Sequence, residues 1–276
     1  MRLLLAPFVL GALLLVALPA VVTFAVAFTD WNLLEPAAFV GLENFGMLFD
    51  DPILHGALLN SLIFLAIAVP LRLAIATGAA LLLHRPARGR AAERSAVYLP
   101  TVVPDVAFAL LFLFLLNPLY GPLSWLGIEW FTSAGGAMAA IVIVCLFTIG
   151  EGFVVALAAR QELPGDLDAI ARLEGASRRF TLRRVTLPLM RPTLGLLAAR
   201  DLAYALHLTF VPALVVTGTG PDRATFFLPN AIYEAAFEDL RYGYAAAITL
   251  VLYAITIAIL LVAARSVSGR RFGLGR

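Results

Sequence analysis

The chain alternates long apolar runs with short polar ones. Six apolar runs stand out, over residues 3–28, 59–83, 97–116, 137–159, 193–217 and 244–264. About 20 apolar residues cross a bilayer as a helix, so each run is long enough to span. Helix is the physical choice, because backbone groups cannot go unpaired in lipid. A β-barrel needs short alternating segments, and these runs are continuous. The first run is too long for a signal-peptide core of about 7–15 residues, so it reads as a retained span. The pattern predicts an all-α polytopic membrane protein with six transmembrane helices, read as a single domain over residues 1–276.

Against this background one polar stretch is conspicuous. "DLDAIARLEGASRRFTLRRVTLP", residues 166–188, carries five arginines and three acids in a chain whose charged fraction is 14% and hydrophobic fraction 62%. It sits between the fourth and fifth runs. Pro164 and Gly165 break the preceding helix, and Asp166 or Asp168 can cap the next. Leu167, Ile170 and Leu173 fall at helical spacing, which gives one apolar face. Gly175 allows a tight turn or close backbone approach. Ser177 can cap a second helix carrying Arg178, Arg179, Arg183 and Arg184. Pro188 is expected to end that helix, with Pro192 ahead of the fifth span. A helix pair with one greasy face suits docking into a groove; an amphipathic helix on anionic lipid is the competing reading.

Charge adds orientation. All 20 basic residues are arginine. Sixteen fall in one alternating set of segments: Arg2; Arg85, Arg88, Arg90 and Arg94; seven from Arg160 to Arg191; and Arg265, Arg270, Arg271 and Arg276. The opposite set holds Arg223 and Arg241, and its first segment is acidic, with Asp30, Glu35, Glu43, Asp50 and Asp51. The positive-inside rule puts both termini and the 158–192 island in the cytoplasm. Topology accounts for the arginines, so they are not read as a nucleic-acid surface.

Several chemistries are excluded. Without lysine there is no Walker A motif and no Schiff base. There is no His-Glu-x-x-His or Gly-x-Ser-x-Gly, and His55, His84 and His207 are scattered. Cys145, the single cysteine, excludes an internal disulfide and reads as a packing residue. The chain is not expected to be an enzyme, to bind a metal or to hold a cofactor. If ATP drives it, ATP and Mg²⁺ belong to another subunit.

Asp105, Glu151 and Asp201 lie in or at the ends of spans, as do Arg72 and Arg200. Charges at membrane depth face a bundle interior or water. They mark a polar path, or they pair to fix helix packing. Arg200 and Asp201 point about 100° apart on a helix, so each needs its own partner. That leaves Arg72 to meet a carboxylate on another span. Tyr204, His207, Asp201, Asp105 and Asn117 are candidates for a substrate path, since sugars are held by planar polar groups and aromatic faces. Ordinary packing is the alternative for Tyr204 and His207.

The island resembles the cytoplasmic "EAA" loop of binding-protein-dependent ABC importer permeases. Ala169, Ile170 and Ala171 occupy the Glu-Ala-Ala positions, Gly175 is the glycine, and Val185, Leu187 and Pro188 fit the ending. The departure is at the first two positions, where Ala169 replaces glutamate and Ile170 replaces alanine. "FTDWNLLEPAAFVGLENFGMLFDDP", "YLPTVVPDVAFALLFLFLLNPLYGPLSWLG" and "YGYAAAITLVLYAITIAI" are similar to segments of sugar permeases. "TGTGPDRAT" resembles the family's Gly-Gly-Gly-Pro turn, with Thr219 for the middle glycine.

The resemblance implies the type I importer permease fold, with a coupling helix between the fourth and fifth spans. It implies a bacterial inner-membrane location, a second permease subunit, two ATPase subunits on the cytoplasmic side, an extracytoplasmic solute-binding protein and a sugar as substrate. Asp168, Ala169, Ile170, Ala171, Arg172, Glu174, Gly175, Ala176, Leu187 and Pro188 would then form the ATPase-coupling element. Asp168 or Glu174 stands in for the missing glutamate. Readings outside this frame are a permease for another small solute, such as a phosphate ester, or an ion-coupled carrier working alone through its membrane carboxylates. The outer 227–243 stretch is expected to form a short helix with Tyr233, Phe237 and Tyr242 as aromatic interface anchors.

Overall fold

The computed structural model describes residues 2–268, with side chains described for residues 6–262. Arg270, Arg271 and Arg276, which enter the charge argument for the C-terminus, lie outside the described residues. Among the described residues the regular structure is helix, joined by loops, apart from one isolated bridge between Thr29 and Phe39.

Four helical stretches are long and apolar enough to cross a membrane: Ala6–Val26, Pro52–Leu83, Arg178–Thr217 and Tyr242–Val262. The other two spans are bent pairs, Arg90–Val102 with Asp105–Leu115 at 101°, and Ala134–Phe147 with Gly150–Gln161 at 50°. Counting each bent pair as one span gives six, two of them broken where the apolar pattern suggested continuous helix.

The breaks have local causes. In the third span Val103 precedes Pro104 and takes an extended conformation, φ −72° and ψ 133°. The proline ring disfavours helix at the residue before it. In the fourth span Thr148 leaves helical geometry, and its hydroxyl turns back to donate to the Cys145 carbonyl at 3.1 Å. Such back-bonding competes with the helix ladder. Gly150 then passes so close to the third span that a Cβ would sit 2.5 Å from Thr101 Oγ1 and 2.9 Å from Tyr98 Cα.

Contact clustering divides the chain into two units, residues 1–59 with 226–255, and residues 60–225 with 256–276. In the first unit, α1 (Arg2–Ala12) and α2 (Leu18–Val26) are joined by a π turn, Leu13–Ala17. No residue of this span from 6 to 26 is buried. α3 (Glu43–Asp50) is tied to the preceding loop by buried Asn44, whose amide donates to the carbonyls of Ala27 and Thr29 at 2.9 and 2.8 Å. The short outer helix expected near the end of the chain is Leu228–Tyr233, extended by a π turn, with Tyr233 and Phe237 rings 5.2 Å apart.

The second unit contains most of α4 (Pro52–Leu83) and all of α5 (Arg90–Tyr98), α6 (Asp105–Leu115), α7 (Ala134–Phe147), α8 (Gly150–Gln161), α9 (Leu167–Leu173), α10 (Arg178–Thr181) and α11 (Leu187–Leu208). Its core joins Ala76 and Ala80 of α4, Phe153, Ala156 and Leu157 of α8, and Leu197 of α11. Small residues on facing helices let backbones approach closely in a membrane bundle.

Pro188 does not end the second island helix. Helix runs without interruption from Arg178 to Thr217. A π turn at Leu182–Thr186, closed by the Leu187 N–H on the Leu182 carbonyl, precedes the proline. The wider turn makes room where the Pro188 ring would press on the carbonyl four residues back. Pro19 follows a π turn in the same way.

Candidate functional site

Two regions of the second unit gather the chemistry. The first is the island. α9 starts at Asp166, which takes the cap position without a side-chain cap bond. It ends in a Schellman turn, with the Ala176 N–H on the Ala171 carbonyl at 2.8 Å. Gly175 at φ +76° makes that turn possible. Ser177 caps the next helix, accepting from the Phe180 N–H at 3.2 Å.

α9 is pinned from one side by Asp168. Its carboxylate accepts from Arg85 at 2.7 Å and from Arg160, at the end of α8, at 3.1 Å. The Arg85 hydrogen bond foremost, and then the charges of Arg160 and Arg85, hold its pKa below the usual carboxylate value against the opposing effect of burial. Asp168 is thus spent within the chain rather than offered outward. Glu174 and Ala169 are exposed, as are Ile170 at 50% and Leu173 at 87%. Arg172 donates from Nε to the Asp168 backbone carbonyl. Ala171 and Ala176 are half-buried, and Leu187 and Pro188 lie on the long helix that continues into the fifth span. The island therefore presents a small helix held by its polar side, with two apolar side chains standing free on the other.

Behind that helix lies a cavity of about 410 Å³, whose wall includes His84, Arg85, Arg160, Asp168, Arg172 and Arg178. His84 is kept below the ordinary histidine pKa, first by burial and then by the charges of Arg160 and Arg85. Its hydrogen bond to the Leu81 carbonyl pulls the other way.

The second region lies inside the spans. Arg72 of α4 is buried and meets Asp201 of α11 at 3.6 Å, an ion pair beyond hydrogen-bond reach. Its guanidinium also donates to the Cys145 and Thr148 carbonyls, which the break between α7 and α8 leaves without helical partners. One arginine thus joins α4, the broken fourth span and α11.

α11 has two faces. Leu197, Asp201 and Ala205 are buried at successive helical turns. Leu196, Tyr204 and His207 are exposed on the other side, with Arg200 partly so. Arg200 pairs with Glu151 of α8, lies 3.4 Å from Asp201, and stands 5.5 Å from the centre of the Tyr204 ring. His207 is exposed within this chain.

The five substrate-path candidates do not form one cluster. Asp201 belongs to the buried ion pair, and Tyr204 and His207 to the exposed stripe. Asn117 caps a turn, accepting from the Leu119 and Tyr120 N–H groups at 2.9 and 3.3 Å. Asp105 is exposed at the first turn of α6, where a helix N-terminus favours negative charge. The roles of Arg85 and Arg160 as anchors escaped the sequence, where every loop arginine reads equally well as a topology charge.

Comparison with known proteins gives consistent results. A family described as the inner membrane component of binding-protein-dependent transport systems matches residues 71–272. A diacetylchitobiose uptake system permease of Streptomyces coelicolor is 31% identical, over 83% of this chain and 71% of the relative. An sn-glycerol-3-phosphate transport system permease of Agrobacterium fabrum is 33% identical, over 80% of this chain and 78% of its own length. A sulfoquinovosyl glycerol transport system permease of the same organism is 29% identical over 93% and 86%. Among solved structures, a chain of a bacterial alginate ABC transporter, in complex with an alginate-bound periplasmic protein, superposes with a TM-score of 0.81. It is 23% identical, over 95% of this chain and 91% of that one, and shares the fold.

Proposed function

The chain belongs to the family of inner-membrane components of binding-protein-dependent transport systems, and on that premise we propose that it is the permease subunit of an ATP-driven importer for a sugar or sugar-like solute. The whole chain acts as one permease domain with both termini in the cytoplasm. It forms half of the path, beside a second permease. Two ATPase subunits carry ATP and Mg²⁺, and an extracytoplasmic binding protein delivers the solute.

One observation carries the coupling reading. Ile170 and Leu173 are exposed on a helix whose polar side is fixed by Asp168 to Arg85 and Arg160. Force passes through a packed contact, so a coupling element needs an apolar seat outside and a rigid tie inside. The 164–188 segment has both. The substrate class rests on the relatives, whose names concern diacetylchitobiose, sulfoquinovosyl glycerol and glycerol 3-phosphate.

The Glu151–Arg200–Tyr204 stripe supports a partner within the membrane. Charged groups at that depth avoid lipid and face protein or water. Asp201 is paired with Arg72 and Glu151 with Arg200, so two of the three span carboxylates are engaged in ion pairs rather than held free for a proton relay.

The test is purification of the tagged chain in mild detergent after crosslinking in intact membranes. Recovery of an ATPase and a second permease is the expected result. Recovery of this chain alone, with uptake intact, would overturn the reading in favour of a solitary carrier.

A further inference from the structure

The cavity behind α9 has more positive charge than the fold uses. Arg85, Arg160, Arg172 and Arg178 face it with a single carboxylate, Asp168, so four positive charges against one negative leave three uncompensated. Asp168 already engages Arg85 and Arg160. The Arg178 guanidinium makes no hydrogen bond or ion pair among the described residues, and Arg172 is held through its Nε to a backbone carbonyl. Arg160 is 7% exposed, and its Nε has no hydrogen-bond partner. A buried guanidinium with an unpaired donor is costly unless an acceptor is supplied. Arginine forks match the oxygens of phosphate better than any other side chain. The cavity's 410 Å³ falls within the range of about 300–1,000 Å³ typical of small-molecule sites, larger than a bare anion needs.

We propose that this cavity binds a phosphate group, held by Arg160, Arg172 and Arg178 between the α9 turn and the ends of α4 and α8. The group is either that of a free phosphate or phosphate ester, or the headgroup of an anionic phospholipid. Its place gives it a consequence. An anion bridging Arg172 and Arg178 of the island to Arg160 of α8 ties the island to the spans at a second point, beside Asp168. The site goes beyond the transport reading and does not depend on it.

The experiment uses the full chain purified in an uncharged detergent. In one arm, equilibrium dialysis measures binding of radiolabelled inorganic phosphate, with sulfate as competitor. In the other, native mass spectrometry reads retained phosphatidylglycerol. Saturable phosphate binding that Arg172→Gln or Arg178→Gln weakens about tenfold supports a soluble phosphate. A phospholipid retained by the parent chain and lost from both variants supports the headgroup. Arg172 and Arg178 are exposed, so these changes leave the fold intact. Arg179→Gln, one residue along and outside the cavity wall, is expected to change neither readout. Absence of both ligands, or equal loss in Arg179→Gln, would overturn the proposal.

Discussion

Arg72 and Asp201 meet at 3.6 Å within the membrane-spanning helices, their side chains 3% and 6% exposed. The pair closes a junction of α4, the α7–α8 break and α11. Arg72 also satisfies two carbonyls at that break, so its two roles can be separated.

Removing one partner of a buried ion pair costs about 3–5 kcal/mol. Arg72→Leu takes from Asp201 its buried counter-charge and from the Cys145 and Thr148 carbonyls a donor each, whereas Asp201→Leu leaves Arg72 its carbonyls. Arg72→Leu is therefore expected to lower the melting temperature in detergent more than Asp201→Leu, and the double variant to fall less than the sum. Strict additivity would show that the two side chains do not interact.

Asp168 predicts a pH dependence at the island. Its folded-state pKa is depressed below the ordinary aspartate value of 3.8. The stabilisation is present above that ordinary, unfolded-chain value and is lost as pH falls through the lower folded one. Hydrogen exchange of residues 166–176 should be flat from about pH 7 to about pH 5 once corrected for intrinsic rates, then rise in stronger acid. Asp168→Asn should raise it at neutral pH and abolish the further rise in acid.

Gly175→Asp places a side chain in open space but at φ +76°, where a residue with a Cβ is strained by roughly 1–2 kcal/mol. The variant should insert and assemble, yet lose the stimulation of ATPase activity by the solute-loaded binding protein. Wild-type stimulation in a correctly inserted variant would remove this turn from the coupling element.

The α11 stripe predicts a transport defect without a folding defect. Tyr204→Ala and His207→Ala, both at exposed positions, should reduce solute uptake about tenfold in at least one case, with melting temperatures unchanged. Unaltered uptake in both would take this stripe out of the path.

Thr219 sits at φ +69° in the 218–220 turn, between Gly218 at +57° and Gly220 at +75°. A left-handed conformation costs a residue with a side chain roughly 1–2 kcal/mol. Thr219→Gly should raise the melting temperature by a few degrees, read by thermal unfolding in detergent.

Much of this was legible beforehand, because the period and length of apolar runs are dictated by the bilayer. The spans, the Ser177 cap, the Gly175 turn and the short outer helix needed only local rules. The breaks at Val103–Pro104 and Thr148–Ile149 were harder. One is a proline effect hidden inside an apolar run, and the other depends on a threonine and on Arg72 arriving from another helix. Pro188 misled for the opposite reason, since a π turn absorbs it. The pattern of island residues located α9 but could not reveal that Asp168 faces inward. That required Arg85 and Arg160, which lie 83 and 8 residues away in sequence.

The central claim is that α9 seats on a separate ATPase, and site-directed crosslinking tests it most directly. Cys145, the only cysteine, is buried, so Leu173→Cys introduces the one readily accessible thiol. In native membranes a thiol-reactive photocrosslinker at that position should capture the ATPase subunit, and capture should fail from a thiol placed on the outer segment. Absence of any ATPase adduct from Leu173→Cys, in membranes that still take up solute, would contradict the account.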